Sequence, residues 1–372
     1  MDISHITTVH PRFDTRIFYK ECLSLAAFFN TTIDLFVLDG LDSIVVQNVR
    51  VNSIGSSHSS RILRILKGNV LALKSLFSKT GVIHFHDPEL LFAMFLLSIS
   101  KNKKVIFDVH ENVSKDILTK DWIPFVVRPI ISRTYLFLEK ILTKRMSIVI
   151  AEDSYLQNYR SKKCHLVHNY ADVEKIRSLS LAKHNKIYDF VYIGACSINR
   201  GILNNILALK KCRELGYDAN LLLIGRVDAQ IERHSIYMQA VKQGWVVAKG
   251  RLTAEKAWEL ASAAKVGLST LLADSNFIES YPTKLFEYMS LPIPTISSDF
   301  PLYKSIIEEA NCGLCVNPGD IDEIQKAMQF FLEISDDEYS QICANGLNCV
   351  EKNYNWQNEK NTLFKAYADL MS

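Results

Sequence analysis

A short stretch of the chain combines two carboxylates with one cation around a predicted helix start. Glu279 and Glu287 are separated by seven residues, with Lys284 between them, and Pro282 fits the first position of a helix that runs to about Met289. A cation in the first turn opposes the helix dipole, which predicts that an anion binds at this end. A nucleotide-sugar fits these charges, with its diphosphate at Lys284 and its hydroxyls at the carboxylates. The alternative is a solvated helix face.

A second anion site is predicted in the run from Gly194 to Gly201, which joins a strand to a helix beginning near Arg200. Free N–H groups at a helix N-terminus attract phosphate, and Arg200 adds a formal charge. The pattern is neither the dinucleotide-binding glycine motif nor a Walker loop, so a plain turn is the alternative.

Three polar clusters in the N-terminal half each follow a predicted strand. They are His10–Arg16, His86–Glu89 and His110–Asn112. The carboxyl ends of parallel strands meet at one edge of a sheet, where ligands bind. We therefore expect one common site there, with solvated loops as the alternative.

The elements that would hold these residues alternate between strands and helices in both halves of the chain. This alternation predicts an α/β fold with two doubly wound parallel sheets. We expect residues 1–170 to form one domain, completed by a helix at residues 355–372 that crosses back, and residues 171–354 to form the other. The predicted strands of the first domain are Ile3–Val9, Thr32–Leu38, Gly81–His86, Lys104–Val109, Ser147–Ala151 and Lys163–Val167.

The charge distribution also separates the two halves. The 372 residues carry a formal net charge of +3, but residues 1–170 have 22 Lys+Arg against 15 Asp+Glu, whereas residues 171–372 have 21 against 25. Nearly half of the residues are hydrophobic, which excludes disordered and collagen-like classes. Nucleic-acid binding is poorly supported, because the total charge is small and no known module is present.

The eight cysteines and the N-terminal residues favour a cytoplasmic protein. No basic and apolar leader opens the sequence, so reduced thiols are expected. The CxxC of Cys312 and Cys315 lacks a second ligand pair and is interpreted as core packing. The apolar run Leu90–Ser100 is too short to span a bilayer and predicts a buried helix.

Together, these motifs resemble the family four retaining glycosyltransferases over almost the whole chain. The resemblance is carried by the Glu279/Glu287 pair inside PTKLFEYMSLPIPTISSDFP, by NCGLCVNPGD, by the Gly194–Gly201 loop, and by VHPRFDTRIFYKE, HFHDPELL and IFDVHEN. It implies the GT-B fold of two facing Rossmann-like domains. The N-terminal motifs resemble the members that assemble bacterial surface polysaccharides.

The resemblance also implies roles for individual residues. Glu287 would bind the ribose hydroxyls of a UDP- or GDP-linked donor, Glu279 would bind the donor sugar, and Arg200 and Lys284 would neutralise the diphosphate. His110 would face the sugar near its anomeric carbon. Further donor contacts are implied for Gly194, Arg251, Ser280, Tyr281, Pro282 and Thr283. The acceptor or cleft loop would include Arg12, Asp14, Arg16 and His86.

The resemblance further implies a metal-independent reaction with no cofactor beyond the donor substrate. Retention is attributed to front-face attack, in which the leaving phosphate oxygen deprotonates the acceptor and no protein nucleophile is needed. The DxD at Asp320 and Asp322 opens a predicted helix and is interpreted as an N-cap, not a metal site. The sequence departs from the family in having Arg200 as the single basic residue of its loop and no glycine in His10–Arg16.

Two basic and apolar stretches suggest contact with a membrane surface. Ser59–Gly81 has five basic and no acidic residues, and Lys115–Arg145 has seven basic residues against three acidic ones, with Trp122, Phe125 and Phe137 among them. A saccharide or lipid-linked saccharide acceptor at the cytoplasmic face of the inner membrane would suit this surface. The alternative is a solvated helix face.

Two other functions remain open from the sequence. One is a sugar-nucleotide epimerase of the same fold, which would need no acceptor. The other is a non-catalytic protein that binds nucleotide-sugars.

Overall fold

Two separate α/β units make up the chain in a computed structural model. It describes residues 2–56, 60–77, 79, 81–110, 112–119, 123–159, 163–180, 186–273 and 275–371, with backbone alone at residues 61, 119, 275 and 276. Unit 1 comprises Met1–Asn169 and Gln357–Ser372, and unit 2 comprises Tyr170–Trp356. Glu111, Ser59 and Trp122, singled out in the sequence, and the Arg61 side chain lie outside the described part.

The sheet of unit 1 has eight strands in the order β3-β4-β2-β1-β5-β6-β7-β8. All neighbours pair in parallel except β3 and β4, which are antiparallel. The strands are β1 Ile3–Ile6, β2 Ile33–Val37, β3 Ile44–Val46, β4 Val49–Ser53, β5 Gly81–Phe85, β6 Lys103–Val109, β7 Ser147–Ile150 and β8 Cys164–Leu166.

The helices of unit 1 cover this sheet. The π-helix Thr15–Cys22 continues into α1, and the C-terminal helix α17 stacks Phe364 on Phe28 of α1 with ring centroids 4.0 Å apart. The α-helices are α1 Leu23–Phe29, α2 Arg61–Leu76, α3 Leu91–Ser98, α4 Val113–Thr119, α5 Arg128–Leu142, α6 Leu156–Tyr159 and α17 Trp356–Met371, the last beginning at the end of unit 2. Short 3-10 turns lie at Pro88–Leu90, Phe125–Val127 and Asp153–Tyr155.

Unit 2 contains a six-stranded, all-parallel sheet in the order β11-β10-β9-β12-β13-β14. Apolar clusters cover both faces, as expected for a parallel sheet. The strands are β9 Tyr188–Ile193, β10 Leu221–Ile224, β11 Val246–Ala248, β12 Ala264–Ser269, β13 Thr295–Ser298 and β14 Gly313–Val316.

The helices of unit 2 follow most of its strands. A 3-10 turn at Ile198–Arg200 precedes the first long helix. The helices are α7 Val173–Ser180, α8 Ile202–Glu214, α9 Ala229–Glu232, α10 Ser235–Lys242, α11 Ala254–Ala261, α12 Ser275–Ile278, α13 Thr283–Ser290, α14 Pro301–Ala310, α15 Ile321–Glu333 and α16 Asp336–Asn353.

The structure corrects several details expected from the sequence. Strands β3 and β4 were missed because both are short and lie at the sheet edge, and the first strand ends at Ile6 rather than Val9. The segment Ile17–Phe29, which the sequence pattern predicts as an amphipathic helix, is π-helical as far as Cys22 and α-helical from Leu23. Helix α3 is only partly buried, because Phe92 is 60% exposed. The described residues include no helix that is both long and apolar enough to cross a bilayer.

Candidate functional site

In unit 2, the loop after β9 brings Gly194 against the first turn of α13. Gly194 has a φ of +126°, and a Cβ atom built there would lie 2.8 Å from Lys284 Cε. Glycine is therefore required at position 194 for two reasons. The backbone angle is unfavourable for other residues, and the missing side chain leaves room for Lys284. The sequence stretches containing Gly194 and Lys284, far apart in the chain, meet at the carboxyl edge of this sheet.

Tyr288 fixes α13 beneath this loop. Its hydroxyl accepts a hydrogen bond from the backbone N–H of Ile193, the last residue of β9, at 3.0 Å. Its buried ring packs on Gly267 of β12, where a Cβ would lie 2.4 Å from the ring. Sequence reasoning missed Tyr288 and Gly267, since their roles depend on contacts between α13 and two strands. The one available signal was a tyrosine one helical turn after Lys284.

The helix ends at this edge lack side-chain caps. Gly201, with a φ of +72°, precedes α8, and Pro282 precedes α13; neither provides a capping hydrogen bond to the first turn. Helix α13 begins at Thr283, so Pro282 is the N-cap residue and not the first helical residue, a correction of one position. Uncapped first turns leave amide N–H groups for an anionic ligand.

Lys284 and Arg200 supply positive charge at the same edge. The Lys284 ammonium lies 5.3 Å from the centroid of the Tyr192 ring, and the Arg200 guanidinium lies 4.7 Å from that of Phe277. Burial and the charge of Arg200 lower the pKa of Lys284 to about 7, with Glu287 acting in the opposite direction. The described residues show no ion pair to either cation. This arrangement is suited to an anion.

The other residues predicted to bind the donor differ in how far they are exposed to solvent. Glu287 is partly buried in α13, whereas Glu279 is exposed before it, and Arg251 is exposed after β11. The residues from Glu279 to Lys284 form the loop and first turn, comprising partly buried Ser280, Tyr281, Thr283 and Lys284 and buried Pro282. Asp320 accepts hydrogen bonds from the backbone amides of Asp322 and Glu323, which confirms its N-cap role.

In unit 1, the three polar clusters converge on one cavity of about 400 Å³, as the sequence predicted. His10, His86 and His110 contribute to its polar part, and His110 Nε2 lies 3.0 Å from His10 Nε2. The lining also includes charged Arg64, Glu89 and Asp116, and the largely apolar side chains of Ile65, Val113, Ile117, Ile123, Ile131 and Tyr135. A cavity with both polar and apolar lining suits a ligand that has both kinds of group.

Asp108, at the end of β6, organises the polar part of this cavity. Its buried carboxylate accepts hydrogen bonds from Arg16 Nε and Nη2 at 2.9 and 2.8 Å, and lies 3.0 Å from His86 Nδ1 and 3.3 Å from His110 Nδ1. Although burial favours the neutral acid, the Arg16 charge and the hydrogen bonds hold the pKa of Asp108 well below its usual value. The ionised carboxylate therefore orients His110. Sequence reasoning passed over Asp108, although it lies two residues before His110.

The first loop is held by internal contacts. Arg12 pairs with Asp39 at 2.6 Å, and Asp14 accepts the backbone amides of Arg16 and Ile17 at the start of the π-helix. Arg16 is only 4% exposed and also donates to Val167 O, so its guanidinium fixes the sheet edge instead of facing outward. The role of this loop at the acceptor cleft stays a prediction, with Arg16 supporting the loop from the protein interior. π-helical turns are often found at functional sites, and this one places Arg16 under the cavity.

Comparison with solved structures defines the fold as GT-B. Sucrose-phosphate synthase from Thermosynechococcus elongatus aligns with a TM-score of 0.74 at 17% identity, covering 100% of this chain and 99% of that one. HepE from Anabaena, in complex with UDP, aligns with a TM-score of 0.70 at 12% identity, covering 99% of this chain and 100% of that one. A trehalose-phosphate synthase from Burkholderia xenovorans, in complex with glucose-6-phosphate, aligns with a TM-score of 0.70 at 13% identity, covering 100% of both chains.

Residues 173–347 match the family model described as glycosyl transferases group 1. This match lies within unit 2 and includes the Gly194–Gly201 loop and α13. The domain match and the GT-B fold together indicate that the chain is a glycosyltransferase. Comparison with curated proteins finds no significant match.

Proposed function

We propose that the chain is a retaining, metal-independent transferase that moves a sugar from a nucleotide-diphosphate-sugar to a saccharide or lipid-linked saccharide. We place the reaction in surface polysaccharide biosynthesis, as lipopolysaccharide O-antigen or capsule. The enzyme would act in the cytoplasm, with peripheral contact to the inner membrane, and would bind no nucleic acid.

The observation that carries this proposal is the position of Lys284 across Gly194. In this position the Lys284 ammonium lies at the uncapped start of α13 and beside the loop before α8, which carries Arg200. A diphosphate carries the complementary charge and accepts hydrogen bonds from both helix ends. Lys284 and Arg200 would therefore bind the diphosphate, while Glu287 binds the ribose and Glu279 the sugar. Arg251 would contact the base, and UDP is favoured by its presence in the complex of HepE.

Transfer would proceed by front-face attack of an acceptor hydroxyl on the anomeric carbon. The glycosidic bond to the diphosphate breaks, the new bond forms on the same face, and the leaving phosphate oxygen takes the hydroxyl proton. Lys284, Arg200 and the helix amides would stabilise the negative charge that develops on this oxygen. His110, oriented by Asp108, would lie beside the anomeric carbon. No protein nucleophile takes part.

The acceptor would occupy the cavity of unit 1. Its sugar hydroxyls suit His10 and His110, and an apolar portion suits the apolar lining that includes Ile117 and Ile131. The outer surface of the same unit also combines apolar and basic side chains. Helix α3 contacts both α2 and α5, and the exposed residues on α2 and at α5 include Ile62, Leu66, Lys67, Phe125, Arg133, Phe137 and Lys140. This surface supports contact with anionic lipids.

Nucleotide binding and turnover together test the proposal. We expect UDP or GDP to raise the melting temperature in the presence of EDTA, and the purified chain to transfer labelled sugar to lipid-extracted acceptors. Glu287→Gln should weaken nucleotide binding, whereas exposed Glu308→Gln on α14 should not. His110→Ala should lower turnover with little effect on nucleotide binding, and His234→Ala should change neither.

Each contrary result has a definite meaning. Stabilisation that disappears with EDTA contradicts metal independence, and no stabilisation by any nucleotide contradicts the donor site. Release of an isomerised nucleotide-sugar without acceptor would instead identify the epimerase. Binding without any chemistry would identify a non-catalytic protein.

A further inference from the structure

Four buried side chains in unit 1 form a group of which only His86 also lines the proposed acceptor cavity. His5 of β1 and His84 of β5 are register partners in adjacent strands, and His86 follows two residues later on the same sheet face. Glu21 of the π-helix completes this group, called the histidine core below. All four side chains are at most 1% exposed, and one ligand atom from each lies within 4.8 Å of the others.

The outer nitrogens of the three histidines have hydrogen-bond partners. The Tyr367 hydroxyl lies 3.0 Å from both His5 Nε2 and His84 Nδ1, and Asp108 Oδ2 lies 3.0 Å from His86 Nδ1. Partners of this kind typically orient histidines that bind a metal through the opposite ring nitrogen. Tyr367 and Asp108 therefore resemble the supporting groups of a metal site.

The other polar atoms of the histidine core have no hydrogen bonds to described groups outside it. His5 Nδ1 and His86 Nε2 lie 3.0 Å from each other, and His84 Nε2 has no hydrogen-bond partner among the described residues. Neither oxygen of Glu21 accepts a hydrogen bond from a described residue, although Arg16 Nε lies 3.0 Å from Oε1. Buried polar atoms without hydrogen bonds are costly, so the group has unused ligand capacity.

We propose that the histidine core binds one Zn²⁺ through His5, His84, His86 and Glu21. Imidazole nitrogen and carboxylate oxygen are ligands that zinc prefers, and four protein ligands define a closed, structural site. Zn–N bonds of about 2.0 Å separate tetrahedral ligands by about 3.3 Å, close to the distance between His5 Nδ1 and His86 Nε2. One ligand atom from each residue lies within 4.8 Å of the others, with Glu21 Oε2 4.0 Å from His5 Nδ1, so tetrahedral distances need shifts of about 1 Å.

The charges around the site are compatible with a cation. Arg16 and Asp108 offset each other in a bidentate pair. Burial and the negative charge of Asp108 hold the pKa of Glu21 well above its usual value, so Glu21 would release a proton when it binds the cation. The metal would connect two strands, the π-helix and, through Tyr367, the C-terminal helix. It would act on the stability of unit 1, so the diphosphate site of unit 2 still works without metal.

Zinc content of the full-length chain, purified without a polyhistidine tag, tests the proposal. We expect one equivalent of zinc by mass spectrometry, a lower melting temperature after removal with a chelator, and recovery with ZnCl₂. Replacement by Co²⁺ should give the intense visible absorption of a tetrahedral site. His84→Gln and Glu21→Gln should lose the metal, whereas exposed His234→Gln in unit 2 should retain it.

Tyr367→Phe provides the test if the ligand variants fail to fold. It removes one hydroxyl and should weaken zinc affinity about 10- to 100-fold in a chelator competition. Less than a tenth of an equivalent in the wild type, with no stabilisation by ZnCl₂, contradicts the proposal and leaves a metal-free hydrogen-bond network. Full zinc content in folded His84→Gln or Glu21→Gln, or unchanged affinity in Tyr367→Phe, also contradicts it.

Discussion

The side chain of Lys284 lies across Gly194, so that a Cβ atom on Gly194 would be 2.8 Å from Lys284 Cε. The loop after β9 and the first turn of α13 therefore depend on each other. The glycine provides the space in which the lysine reaches the sheet edge, and Tyr288 holds the helix there through the Ile193 amide.

This contact predicts the effect of Gly194→Ala. The methyl group should displace Lys284 and weaken UDP binding about tenfold, or about 1.4 kcal/mol, as measured by isothermal titration calorimetry. The positive φ should also cost about 1 kcal/mol of stability in urea denaturation.

Gly216→Ala is the matched control for Gly194→Ala. Gly216 also has a positive φ, +101°, but no described atom lies within 4 Å of the position that a Cβ would take there. It should lose stability while keeping UDP affinity. An equal loss of affinity in both variants would assign the effect to backbone strain alone.

The pKa of Lys284, about 7, predicts that the enzyme takes up a proton when it binds UDP. Above pH 7 the amine of the ligand-free protein is mostly neutral, and a diphosphate favours its charged form. Calorimetry in buffers of different ionisation enthalpy should give uptake approaching one proton at pH 8.5 and little at pH 6. Lys284→Met should abolish this uptake, whereas exposed Lys326→Met should not; pH-independent uptake contradicts the assignment.

The lowered pKa of Lys284 also makes the free energy of unfolding depend on pH. The unfolded chain keeps this proton to near the ordinary lysine value of 10.5, whereas the folded, ligand-free chain loses it near 7. The unfolded state therefore binds more protons between these values, and this group makes the free energy of unfolding rise with pH across that range.

Asp108→Asn should destabilise unit 1 by about 3 kcal/mol or more, because it weakens the pairing of buried Arg16. Glu351→Gln breaks an ion pair with Arg177 whose side chains are 41% and 44% exposed, and should cost less than about 1 kcal/mol. Urea denaturation followed by circular dichroism measures both. Similar losses in the two variants would show that Asp108 does not have this structural role.

The apolar and basic surface of unit 1 predicts binding to anionic vesicles. The full chain should sediment with vesicles containing phosphatidylglycerol at low salt and should dissociate at high salt, because charge attraction is screened. Phe125→Ser with Phe137→Ser should reduce binding, since these rings are 80% and 64% exposed. Phe330→Ser in unit 2 is the control, and equal binding to phosphatidylcholine alone contradicts an electrostatic component.

Much of the framework could be predicted from the sequence because it depends on local patterns. Apolar strand runs between helical segments predicted the alternation in both halves, and the strands β5 to β8 were predicted to within one residue at each end. Asp320 was recognisable as an N-cap because capping acts over three residues. The convergence of His10, His86 and His110 followed from the rule that parallel strands end at one edge.

Only the tertiary structure decided which side chains meet and which remain available. The sequence could not show that Arg16 is buried against Asp108, that Tyr288 fixes Ile193, or that Lys284 occupies the space above Gly194. It also could not show that His5, Glu21, His84 and His86 form one group. Each of these contacts joins residues far apart in the chain, and their geometry depends on strand register and helix docking, which local residue patterns do not specify.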